Sequence, residues 1–209
     1  MAQPTKNQVG VYSWHFMPWP YLDESFERDH ESGWITVPNA LFDRQKMRGL
    51  YQEYLDELSA ADGLGFDGVV LNEHHQNIYG LMPAPNLLAS ALTQTTKNCQ
   101  IVVLGNLVPL NFRPLRVAEE YAMLDCMSGG RVVAGFAPGG GHEAYSYSYS
   151  MPLARERFWE GIDLIVQAWT KPGPTPFEGK HYSMRYVNPW PQPLQTPDRK
   201  STRLNSSHT

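Results

Sequence analysis

A chain of 209 residues can form one domain with a full core, or at most two small ones. Its 42% hydrophobic and 18% charged residues exclude a disordered chain, and a net charge of −4 gives no electrostatic footprint for nucleic acid or an anionic membrane. Cys99 and Cys126 lack metal-ligand spacing, "MAQPTKNQVG" lacks the apolar stretch of a secretory signal, and no apolar run reaches the ~20 residues of a membrane span. A reducing, cytoplasmic setting is expected, with neither nucleic acid nor membrane as partner.

Four short apolar runs read as strands covered on both faces: Val9–Phe16, Gly68–Asn72, Gln100–Asn106 and Arg131–Ala137. Helical spacing separates them. Leu50, Tyr54, Leu55, Leu58 and Ala61 share one stripe, stopped by Gly63 and Gly65. "APNLLASALTQTT" and "RPLRVAEEYAMLDCMSGGR" follow, and Phe158, Ile162, Ile165 and Trp169 line a last helix ended by Pro172. The last three strands recur about every 32 residues, which predicts βαβ units and a parallel sheet. An aromatic and acidic insertion, Pro18 to Asp43, reads as a structured loop, and residues 177–197 read as a small hairpin with a Pro-rich run.

Ligands of parallel α/β folds bind at the carboxyl ends of the strands. Those ends supply Trp14, His15, Phe16 and Met17, then Glu73, His74 and His75, then Asn106, and finally Gly139–Gly141, His142 and Tyr145. Aromatic surface, imidazoles, a carboxylate and a glycine-rich turn suit a planar cofactor with polar edges better than a bare ion. Three readings of "NEHH" stand. Successive strand residues point to opposite faces, so His74 and His75 do not readily share a metal ion, and no HExxH helix is present; no metal is expected. Both imidazoles could serve only as loop hydrogen-bonding groups. The acid/base reading gains from Glu73, because a carboxylate can orient an imidazole.

From Val9 to Pro197 the chain resembles the bacterial luciferase-like, flavin-dependent monooxygenases. The blocks that carry the resemblance are "GFDGVVLNEHHQNIYGLMPAPNLLASAL", "VVLGNLVPLNFRPLRVAEEYAMLDCMSGGRVVAGFA", "FWEGIDLIVQAWT" and "FEGKHY". The resemblance implies an α/β fold of the TIM-type (β/α)8 barrel class, binding reduced FMN supplied by a flavin reductase and using O2 on a small organic substrate. A homo- or hetero-oligomer is implied at full length. His74, with His75 and Glu73, is implied as the catalytic group. Gly105, Asn106, Gly139, Gly140 and Tyr145 are implied to contact the cofactor, and His15, Phe16, Met17 and His142 to line the substrate pocket. A non-prolyl cis peptide is implied near Gly105–Asn106. A deazaflavin-dependent oxidoreductase of the same superfamily and a non-catalytic flavin-binding protein are the alternatives.

Two departures matter. Where some relatives carry Cys-Arg-Gly after the fourth strand, this chain has Ala137-Pro138-Gly139, without an arginine for a phosphate. Only about four βα units are present, whereas a (β/α)8 barrel takes about 250 residues, so residues 1–197 are expected to be the N-terminal portion of a barrel. Val69, Leu71, Val102, Leu104, Val133 and Phe136 are expected to face its interior. Residues 198–209, "DRKSTRLNSSHT", have one apolar residue and no periodicity. Asp198–His208 matches the translation of a common sequencing-adapter oligonucleotide, so this tail is expected to be non-native.

Overall fold

Parallel strands alternate with helices through most of the chain in the computed structural model, which describes residues 9–196. The expected non-native tail, 198–209, lies outside the described residues. In chain order the elements are β1 (Tyr12–Trp14), the single turn α1 (Phe26–Asp29), a 3-10 turn (Asn39–Leu41), α2 (Leu50–Gly63) and β2 (Gly68–Leu71). Then come α3 (Pro85–Thr95), β3 (Gln100–Leu107), a 3-10 turn (Val108–Leu110), α4 (Leu115–Ser128) and β4 (Val132–Ala137). Last are α5 (Gly141–Ser146), α6 (Met151–Thr170) and the antiparallel hairpin β5 (Thr175–Glu178) and β6 (Ser183–Val187). The parallel sheet has the order β1-β2-β3-β4, as successive βαβ units predict.

Register decides which residues the helices cover. β2 pairs Val69 with Ile101 and Leu71 with Val103, and all four are fully buried in the core with Leu58, Leu92, Ala118 and Ile165. The opposite face carries Tyr12, Trp14, Leu104 and Val133, which are 43, 51, 44 and 38% exposed. The expectation that Val69, Leu71 and Phe136 face the interior is therefore corrected. A period of two puts Val69 and Leu71 with Ile101, on the helix side. Phe136 stands three residues from Val133, which period two assigns to the other face, and its ring meets Tyr121 and Trp169 from the helices. Val102, Leu104 and Val133 lie on the open face as expected.

β1 is shorter than the sequence predicts. It is an edge strand with β2 as its one neighbour, and Val9 and Val11 lie beyond the paired residues and are exposed. The insertion after it is ordered, as expected. Trp19 enters the core, and backbone bonds from Trp19 N to Ile78 O (2.7 Å) and Leu81 N to Met17 O (2.8 Å) tie the loop after β1 to the loop after β2. At the other end of the sheet Arg131 is buried, with no ion pair among the described residues. Its guanidinium donates to Thr96 Oγ1, Thr96 O, Cys99 O and Ser128 O at 2.8–3.0 Å and joins the ends of α3 and α4 to the start of β4. Glu160 on α6 accepts the N–H groups of Lys180, His181 and Tyr182, which fixes the hairpin turn.

Candidate active site at the carboxyl ends of the strands

The two adjacent histidines diverge, as residues leaving a strand should. His75 turns to a buried network. Its Nε2 lies 2.8 Å from Glu73 Oε1 and its Nδ1 2.9 Å from the Tyr147 hydroxyl. Glu73 Oε2 accepts from Asn106 Nδ2 at 2.8 Å and Leu107 N at 3.1 Å. Every oxygen of Glu73 and both nitrogens of His75 are thus engaged, and the network joins the ends of β2 and β3 to the segment after α5.

His74 meets a different carboxylate. Its Nδ1 lies 3.0 Å from Glu143 Oε1, in α5, and Glu143 is 1% exposed. Gly140 N donates to Glu143 Oε2 at 2.7 Å, the return half of a capping box, which fixes the carboxylate. Burial pushes the Glu143 carboxyl up, but the His74 hydrogen bond, the Gly140 N–H and the charge of His142 outweigh it and hold the group below the usual glutamate range. His142 Nε2 also approaches Oε1, at 2.5 Å, but off the direction in which its ring could donate, so this buried nitrogen has no hydrogen bond. His74, His142 and Glu143 are the described residues whose side chains could together hold a metal ion.

Aromatic rings wall the imidazoles. Phe16 stacks between Trp14 (4.9 Å) and His74 (6.2 Å), and Trp34, from the insertion, packs on His74 (5.3 Å) and His142 (4.5 Å). Of the other residues expected at the pocket, Met17 is fully buried in the core. His15 is committed elsewhere: Nδ1 accepts from Met17 N at 2.8 Å, Nε2 meets Glu57 at 2.9 Å, and the ring lies on Tyr54. Tyr145 is 71% exposed on α5. The non-prolyl cis bond is Leu104–Gly105, one residue before its expected place. At Gly105 a Cβ would strike the backbone of Gly135 and Phe136, so glycine is required there by the close approach of β3 and β4.

Among the described residues three non-glycines have left-handed backbone: Met17 (φ 50°) after β1, Gln76 (φ 53°) after β2 and Ser148 (φ 54°) after α5. Such conformations cost of order 1–3 kcal/mol each and collect where a site imposes its geometry. The rim also holds unsatisfied polar atoms. Asn72 is buried directly after β2, and among the described residues neither its Nδ2 nor its Oδ1 has a partner; Asn106 Oδ1 likewise has none. An unpaired buried amide costs about 1–3 kcal/mol. A planar ring with donors and acceptors along its edge fits that deficit, and the Trp14–Phe16 wall fits its face. Glu143, Tyr147 and Trp34 were not singled out from the sequence, because only the fold brings them to the histidines.

A parallel sheet of four strands alternating with helices, with imidazoles, carboxylates and aromatic rings gathered at its carboxyl edge, makes this an α/β protein. The family model for luciferase-like monooxygenases matches residues 33–200, and the chain belongs to that family. It is 30% identical over 163 residues to the oxygenase component of a flavin-dependent trigonelline monooxygenase from Acinetobacter baylyi, covering 75% of this chain and 43% of that protein. It is 26% identical over 141 residues to an F420-dependent glucose-6-phosphate dehydrogenase from Kineococcus radiotolerans, covering 65% and 42%. The monooxygenase RslO1 from Streptomyces bottropensis superposes with a TM-score of 0.71 at 25% identity, covering 88% of this chain and 50% of that one. The chain thus spans less than half the length of the curated relatives it matches. Among the described residues no helix is long and apolar enough to cross a membrane.

Proposed function

We propose that the chain forms the His74 side of an oxidoreductase site that uses reduced FMN, delivered by a separate flavin reductase, and O2 to oxygenate a small organic substrate. The observation that carries this reading is the His74–Glu143 pair, an imidazole oriented by an ionised, buried carboxylate on a rim with unsatisfied amides and an aromatic wall. Reduced FMN, when bound, would supply the electrons for reducing O2. Asn72 and the free oxygen of Asn106 would meet its polar edge, and Trp14 and Phe16 its face. Glu143 accepts the Nδ1 proton of His74 and thereby leaves Nε2 as the atom that takes or returns a proton at the substrate. His75 and Glu73, with all polar atoms engaged, position the rim. Trp34 and Phe16 pack on the imidazole and restrict its contact with water, leaving its side chain 20% exposed.

The exposed face of Trp14, Leu104 and Val133 and the free edges of β1 and β4 support closure by further strands into a (β/α)8 barrel. Hydride transfer with a deazaflavin is the second reading, favoured by the F420-dependent relative. Parallel titrations with FMN and F420, followed by oxygen uptake with reduced FMN and trigonelline as first substrate, separate the readings. FMN binding with substrate-dependent oxygen uptake supports the first. F420 binding alone supports the second, and binding without turnover in a chain carrying the complete barrel supports a flavin-binding protein.

A further inference from the structure

We propose that His74, His142 and Glu143 form a binding site for a single divalent transition-metal ion, of which Zn2+ is the prototype. The inference rests on the arrangement of these three side chains and not on the proposed reaction. One ring nitrogen each of His74 and His142 and a Glu143 carboxylate oxygen lie within 4.8 Å of one another, brought together from the segment after β2 and the first turn of α5. Ligands of a tetrahedral zinc ion stand about 2.0–2.2 Å from the metal, hence roughly 3.4 Å from each other. The pairs seen here, 3.0 Å between His74 and Glu143 and 2.5 Å between His142 and Glu143, reach that spacing by small side-chain shifts.

His142 meets Glu143 at ion-pair distance but without hydrogen-bond geometry. Its Nε2 is buried and has no hydrogen bond although a carboxylate oxygen lies beside it. A buried nitrogen in that state is costly, and with the ring in its neutral form a metal ion would take its lone pair in place of the proton. The supports of a ligand set are also present. Gly140 N holds Glu143 Oε2 at 2.7 Å and leaves Oε1 facing the imidazoles. The Trp34 ring packs against both histidines and limits their rotation. Two imidazoles and one carboxylate favour zinc, cobalt, nickel or copper over calcium and magnesium, which prefer all-oxygen shells. Three protein ligands leave a fourth position for water or an added anion.

Occupancy has a consequence for His74. An ion at Nδ1 places the ring's remaining proton on Nε2, the atom assigned above as proton acceptor, so the ion would silence that role.

The test uses the 209-residue chain stripped with a chelator and titrated with Co2+ in the absence of flavin. The expected result is one Co2+ per chain with visible ligand-field bands, displaced by Zn2+, and binding at least tenfold weaker in His142→Ala and in Glu143→Gln. A second measurement keeps wild-type protein: on adding Zn2+, ring 15N resonances of His74 and His142 move, while those of His15, His75 and His181 stay. Absence of ligand-field bands up to millimolar Co2+, binding indifferent to both substitutions, or movement of a different pair of histidines overturns the site. Because flavin is absent, failure here leaves the flavin titrations to judge the proposed function separately.

Discussion

The His74 Nδ1 lies 3.0 Å from the Oε1 of Glu143, a residue 69 positions further along the chain. That contact makes Glu143, not the adjacent Glu73, the carboxylate that sets the proton position of His74. The consequence is a directional one. With Nδ1 donating to an ionised acceptor, only Nε2 is left to exchange protons.

Glu143→Gln keeps the size of the side chain but removes the charge that favours the Nδ1–H tautomer. Turnover with reduced FMN is expected to fall by about 10- to 10²-fold, with little change in FMN affinity. Steady-state oxygen uptake beside an FMN binding curve checks both halves. Equal losses in affinity and turnover would instead mark Glu143 as a structural residue of α5.

Glu73 is expected to act on stability. It is buried and accepts from Asn106 and Leu107 while meeting His75, so Glu73→Ala strands three polar groups. Breaking a buried, charge-assisted network costs about 3–5 kcal/mol. Thermal unfolding followed by circular dichroism should show a large drop in Tm, and a drop of under two degrees would contradict the network's role.

Acid stability should report Asp62. Its carboxylate accepts the backbone N–H groups of Lys97, Asn98 and Cys99 ahead of β3. Burial pushes its pKa up, but those bonds win and bring it down to about 2. A depressed pKa contributes stability that is complete above the usual aspartate value near 3.8 and is lost as pH falls through about 2. Asp62→Asn should therefore lower Tm at neutral pH and flatten its dependence between pH 4 and 2. Parallel curves for the two proteins would show that the three bonds carry no such linkage.

The open sheet face should drive self-association of the 209-residue chain. Tyr12, Trp14, Leu104 and Val133 stand exposed on one side of the sheet, and each large apolar side chain left in water forgoes roughly 1.5–3 kcal/mol. Size-exclusion chromatography with light scattering is expected to show oligomers that Leu104→Lys reduces toward monomer. A wild-type monomer would mean the face is tolerated as it stands.

The sequence was most legible where periodicity and flanking glycines speak together. α2, α3, α4 and α6 and the cores of β2, β3 and β4 fall where their apolar spacing puts them, because local pattern and burial agree there. β1 shrank to three residues because pairing with one neighbour, not apolar character, sets an edge strand's length. The face of Val69 and Leu71 was misread because a continuous apolar run does not say which side the helices cover; only the register against Ile101 and Val103 does. The site was half legible. His74, His75 and His142 stand out by residue type at strand ends, but nothing in the sequence ties Glu143, 69 positions away, to His74. Trp34 lay in an insertion expected to be ordered, and nothing local aimed it at the imidazoles. Their roles come from contacts across long stretches of chain, which a single sequence does not encode as a pattern.

The most direct test of the account is rapid mixing of O2 with the reduced FMN complex of wild type and of His74→Ala, in a chain carrying the complete barrel and in the presence of a turned-over substrate. The account predicts that His74→Ala slows the substrate-dependent step by about 10²–10⁴-fold while the Kd for FMN stays within about threefold of wild type. A variant that turns over at a near-normal rate, or one whose loss is entirely a loss of FMN binding, would contradict the assignment of His74 as the acid/base group.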